Sequence, residues 1–83
     1  MYALFITNKV KKEIKKVPKQ PLNRIYEAIE SLKKEPRPKG ALKIKGNEGY
    51  RLRVGDYRIL YAVNDHDQVV YIYRVKSRGA VYK

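Results

Sequence analysis

Apolar positions recur with two different periods along the chain, and the change of period divides it into a helical half and a strand half. Residues 2–6, Tyr-Ala-Leu-Phe-Ile, are short and β-prone and predict a first strand. Asn8 is placed to cap a helix running from Lys9 to about Val17. Val10, Ile14 and Val17 then form one apolar stripe, with Lys11, Lys12, Lys15 and Lys16 on the opposite face. Pro18 ends that helix. Pro21 suits the first turn of a second helix, in which Leu22, Ile25, Tyr26, Ile29 and Leu32 repeat at helical spacing up to about Lys34. Pro36 and Pro38 stop it, and the two helices should form an antiparallel pair.

Beyond this point the period becomes two. Leu42 to Lys45 reads as a short strand, and Gly46-Asn47-Glu48-Gly49 as a turn. Tyr50 to Val54 alternates strictly, with Tyr50, Leu52 and Val54 on one face and Arg51 and Arg53 on the other. Gly55-Asp56 makes a tight hairpin turn into a strand from Tyr57 to Val63. Asn64 to Asp67 is a polar loop, Gln68 to about Lys76 a last long strand, and residues 77–83 a tail. The order β-α-α-β-β-β-β predicts a single α+β domain over residues 1–83. Its two helices should pack on one face of a twisted, mostly antiparallel sheet.

This pattern dictates what the other face carries. A two-residue Gly55-Asp56 turn pairs Val54 with Tyr57 and Arg53 with Arg58, so Arg51, Arg53 and Arg58 lie together. Tyr50, Leu52, Val54, Tyr57, Ile59, Tyr61 and Val63 fill the helix side. If the second hairpin closes with a five-residue loop, Arg58 sits opposite Arg74, and Lys76 joins the same face. A slip of one residue would invert the assignment. Directly opposed like charges destabilise a sheet. A face of cations with no carboxylate among them therefore asks for an external anion, and the expected one is phosphate.

Composition strengthens this reading. The 20 Lys and Arg against 8 Asp and Glu give 83 residues a formal charge of +12, which favours a polyanionic partner. The absence of Cys excludes a disulfide scaffold and a cysteine nucleophile, and one His with no Cys argues against a zinc site. No apolar run approaches the ~20 residues of a membrane span, and no signal peptide is visible. A cytoplasmic location is expected. Eight Tyr residues are mostly on the expected core face, but Tyr82 sits in the tail beside Arg78 and Lys83, where it could stack on a base or donate a proton. His66, between Asp65 and Asp67, reads as a surface loop residue, and Ser31 and Ser77 form no catalytic triad with it. Glu48, the carboxylate nearest the cationic strands, is read as a turn residue. No Gly-rich phosphate loop is present.

The run Tyr50-Arg-Leu-Arg-Val-Gly-Asp-Tyr-Arg-Ile-Leu-Tyr61, the strand ending Tyr71-Ile-Tyr-Arg-Val and the ending Lys76-Ser-Arg-Gly-Ala-Val-Tyr-Lys83 resemble the RelE/ParE toxin superfamily. The likeness extends over essentially the whole chain and is nearer to the RelE branch, the messenger-RNA interferases of type II toxin–antitoxin pairs. The resemblance implies cofactor-free cleavage of mRNA in the A site of the 70S ribosome, with the ribose 2′-OH attacking the adjacent phosphorus. It gives catalytic roles to Arg51, Arg53, Arg58, Arg78 and Tyr82, while Lys45, Arg74, Lys76 and Lys83, the neighbouring cations of the strands and tail, are expected to bind RNA. It also implies an acidic, RelB-like antitoxin as protein partner. Arg at 51 and 53 departs from the Lys often found there, and an Arg does not readily give up its proton. Lys45, Lys76 and Tyr82 are the alternative bases. A ParE-like gyrase inhibitor without catalysis and a plain RNA-binding module are the competing functions.

Overall fold

The structure is a computed structural model and describes residues 1–46 and 49–77. Among these residues the order is β1 (Ala3–Ile6), α1 (Asn8–Ile14), α2 (Lys19–Ser31), β2 (Ala41–Lys43), β3 (Gly49–Val54), β4 (Tyr57–Asn64) and β5 (Val69–Ser77). The strands form one sheet in the order β1-β5-β4-β3-β2, in which β1 runs parallel to β5 and every other pair is antiparallel. The expected α+β architecture is the observed one.

Local chemistry moves several boundaries. The cap of α1 is Thr7 rather than Asn8: its hydroxyl accepts from the Val10 N–H at 3.2 Å, and Asn8 is already helical. A β-branched hydroxyl residue at the end of a strand is well placed for this, because its extended backbone (φ −69°, ψ 160°) is the capping conformation. Helix α1 closes at Ile14, before the expected Val17. Helix α2 starts earlier than expected, at Lys19, so Pro21 stands third, still within the turn where a missing N–H costs nothing. Strand β2 spans Ala41–Lys43 and stops short of Lys45. Gln68 does not open the last strand. It has φ 55° and closes the β4–β5 loop.

The core lies between the helices and one sheet face. Val10 and Ile14 of α1, Ile25 and Ile29 of α2, and Leu32 just beyond it meet Ile59, Tyr61, Val70, Ile72 and Val75. Each fully buried Ile stabilises the fold by about 1.5–3 kcal/mol. Tyr50, Leu52, Val54, Tyr57 and Val63 pack around this cluster, as the alternation requires. Tyr61 is fully buried, and its hydroxyl donates to the Pro36 carbonyl at 2.8 Å. That bond ties the α2–β2 connection to the middle of the sheet. Beside it, Arg37 donates to Tyr50 and Asp65, and the Tyr2 hydroxyl donates to Asp65 at 2.7 Å. This network joins β1, the connection, β3 and the β4–β5 loop at one end of the sheet.

The register of the second hairpin differs from the expected one. Asn64 pairs with Val69, leaving a four-residue loop, and the pairing shifts by one residue between Leu60 and Tyr61. Tyr73 is the extra residue. On one side of this β-bulge Tyr61 opposes Ile72, and on the other Ile59 opposes Val75. Without the extra residue, Val75 would turn outward and the cations of β5 inward; the bulge keeps both on their proper faces. Arg58 is consequently opposite Lys76, and Arg74 is opposite Leu60.

Candidate functional site: a cationic sheet face

Three rows of side chains cross the face of the sheet that the helices leave open. At the β3–β4 turn, Arg53, Arg58 and Lys76 stand in line on three adjacent strands. The next row holds Leu42, Arg51, Leu60 and Arg74 on β2, β3, β4 and β5. The third, at the far end, holds Gly49, Ala62, Tyr71 and Phe5. Two mechanisms place the cations: strict alternation in β3, and the two-residue turn in which Gly55 takes φ +60°. The turn also orients Arg53, whose Nε donates to the Gly55 carbonyl at 3.2 Å.

Arg51, Arg53 and Arg58, with Gly40 and Leu42, line a shallow hollow of about 170 Å³. All three arginines are exposed, and none has a carboxylate within ion-pair distance among the described residues. Guanidinium groups offer planar, forked donors that match phosphate oxygens, and a cluster of them can hold an anion bearing extra negative charge. Gly40 and Leu42 complete the hollow. Sequence reading missed both, although Leu42 was detectable as an apolar residue opposite a cation on an edge strand.

Arg74 is placed differently from its neighbours. Its Nε donates to Glu13 Oε2 at 2.9 Å, while Glu13 Oε1 accepts from the Val75 N–H at 2.8 Å. Strand β1 pairs only as far as Ile72, so β5 has an open edge beyond it. Glu13, the one acidic residue of α1, closes that edge and neutralises Arg74. A carboxylate therefore does reach the rim of the cationic strands, from helix α1. Lys45 lies past the end of β2, at the opposite end of β3 from Arg53, so the fold does not bring it to the arginine cluster. Lys76 is in the cluster, directly opposite Arg58. Arg78, Tyr82 and Lys83, and also Glu48, lie outside the described residues.

Comparison with known proteins places this geometry in a family. The family described as "ParE toxin of type II toxin-antitoxin system, parDE" matches residues 4–82. A Methanocaldococcus jannaschii protein named RelE1 is 35% identical over 82 residues, covering 94% of this chain and 91% of its own length. The archaeal RelE–RelB complex from Pyrococcus horikoshii contains a chain that is 36% identical, with a TM-score of 0.81 over 94% of this chain and 96% of that one. The isolated Escherichia coli RelE toxin, at 24% identity, shares the fold with a TM-score of 0.82 over 99% of this chain and 92% of its own. Element order, sheet topology, the cationic face and these likenesses agree: the chain belongs to the RelE/ParE toxin superfamily of type II toxin–antitoxin systems, on its RelE-like branch.

Proposed function

We propose that this toxin is a ribosome-dependent endoribonuclease that cleaves mRNA without a metal, and that a RelB-like antitoxin neutralises it. The observation that carries the reading is the Arg51, Arg53 and Arg58 cluster, which has no carboxylate partner among the described residues. Attack of a ribose 2′-OH on the adjacent phosphorus gathers negative charge on the non-bridging oxygens, and fixed guanidinium donors stabilise that charge more than the ground state. The products are a cyclic phosphate and a free 5′-OH. Arg51 and Arg53 hold charge rather than accept the proton. Of the two lysines named as alternative bases, Lys76 stands in the arginine row and Lys45 does not. Tyr82 and Arg78 are proposed, from their match to the family's ending, as proton donor or base-stacking group and as phosphate contact. The antitoxin proposal rests on the RelE–RelB complexes among the similar structures and on the charge of +12, which an acidic chain would offset.

The test is cell-free translation of a defined mRNA with mapping of 5′ ends. The wild-type protein should cut only translated mRNA. Arg58→Ala and Arg78→Ala should reduce cutting by about 100-fold or more, the scale of losing one transition-state donor, and Lys76→Met should reduce it far more than Lys45→Met. Intact mRNA and normal translation would overturn the reading. The family's ParE description favours one second reading, inhibition of DNA gyrase without catalysis, and a supercoiling assay would then detect it.

A further inference from the structure

The third row of the open face contains two aromatic rings at a place where a core does not need them. Phe5 and Tyr71 are direct neighbours on β1 and β5, with ring centroids 5.7 Å apart and planes tilted by 58°. They remain 53% and 37% exposed, on the side of the sheet opposite the helices. The flanking residues Leu4, Ile6, Val70 and Ile72 all turn to the core, so the two rings face outward by strand alternation and not by fraying. Tyr73, the bulge residue, points to the same open face: its hydroxyl lies 2.7 Å from where a Cβ on Gly49 would stand. Between the rings and β3, Ala62 and the buried Gly49 are small enough for the Tyr73 side chain to reach across to β3.

We propose that Phe5 and Tyr71, flanked by Tyr73, form a stacking shelf for unpaired bases of the RNA strand whose phosphates the arginine cluster holds. This rests on the RNA reading above. Stacking on aromatic rings beside a positive groove is how single strands are commonly held, since every base has a π-face and every nucleotide a phosphate. The two parts lie on one continuous surface. Ala62 and Arg58 are four residues apart on β4, so the aromatic row stands about 13 Å from the cation row, a separation that a short single strand spans. A cross-strand aromatic pair also supports sheet pairing, but that role does not require half of Phe5 to face solvent.

The experiment compares an oligoadenylate of about ten nucleotides, a typical site size, with an abasic strand of the same length, by fluorescence anisotropy over a range of salt. The wild-type protein should prefer the strand with bases by about 5-fold to 150-fold, the range set by one stacked base. The double variant Phe5→Leu, Tyr71→Leu keeps apolar bulk on both strands, and its folding is checked by circular dichroism. It should lose most of the preference, keeping only the share of Tyr73 and Tyr82, with an unchanged salt slope, whereas Tyr71→Phe should keep the full preference. If the folded Leu variant retains the wild-type preference for bases undiminished, the shelf is overturned, and the exposed rings become a contact for a protein partner. If the wild-type protein binds neither strand, or both equally, the shelf is overturned, and the cell-free translation assay decides separately whether the nuclease reading stands.

Discussion

At the scale of single residues, Tyr61 shows how much one side chain can hold. It fills the centre of the core, stacks on Tyr50 with centroids 5.7 Å apart, and binds the Pro36 carbonyl. Tyr61→Phe would leave that carbonyl without its donor, at a cost of about 1–3 kcal/mol in chemical denaturation. Burial pushes the Tyr61 hydroxyl up to about 12 from its ordinary 10.0. A raised folded value means the unfolded chain ionises first. The stabilisation is therefore complete below pH 10 and is lost as pH climbs towards 12. The stability gap between wild type and Tyr61→Phe should narrow over that window and stay constant below it. Glu13 gives a second test. Glu13→Ala removes the acceptor of the Val75 N–H and the partner of Arg74, and should cost about 1–3 kcal/mol. Glu13→Gln, which keeps a carbonyl acceptor, should recover part of it.

At the scale of elements, the sequence is clearest where the side-chain period is unbroken. The alternation of Tyr50–Val54 and the Gly55-Asp56 turn fix the arginine row, and the pairing of Arg53 with Arg58 is the expected one. The bulge at Tyr73 was not legible, because an extra residue leaves no mark in a strand whose residues are nearly all β-formers. The same blindness made Arg74 look equivalent to its neighbours. Its engagement with Glu13 depends on where β1 ends, which is a tertiary fact. Thr7 and Asn8 are both good caps, and only the end of β1 chooses between them. The bulge also sets a packing demand on β3. At Gly49 a Cβ would stand 2.7 Å from the Tyr73 hydroxyl and 3.0 Å from the Tyr61 carbonyl oxygen. The hydroxyl can move, but the backbone oxygen cannot do so cheaply. Gly49→Ala should lower stability by about 1–3 kcal/mol, visible as a drop in Tm, and Gly49→Ala with Tyr73→Phe should recover little of it.

At the scale of the whole molecule, charge dominates. The described residues form a body with a radius of gyration of 12.2 Å, and the chain carries +12. On the proposed reading, affinity for single-stranded RNA should fall steeply with salt, by a slope of about 0.7 for each phosphate contact. Arg53→Gln combined with Arg58→Gln should reduce that slope by about 1.4, measured as log affinity against log salt concentration. The cationic face could be foreseen as a whole from composition and alternation together. The hollow was legible only in part: Leu42 belongs to the short edge strand, but Gly40 is delivered by a proline-containing connection whose path no periodicity describes.

The parallel pairing of β1 with β5 has a consequence in time. Among the described residues, residues 3–6 pair only with residues 69–72, so the sheet cannot close until the chain has been made past residue 72. Such long-range pairing comes late in folding, after the local hairpin of β3 and β4. During synthesis the arginine row can assemble before the N-terminal strand has anywhere to dock. A partner protein already present in the cell would then meet a half-built toxin, with the β5 side of the sheet still open, before it meets a finished one.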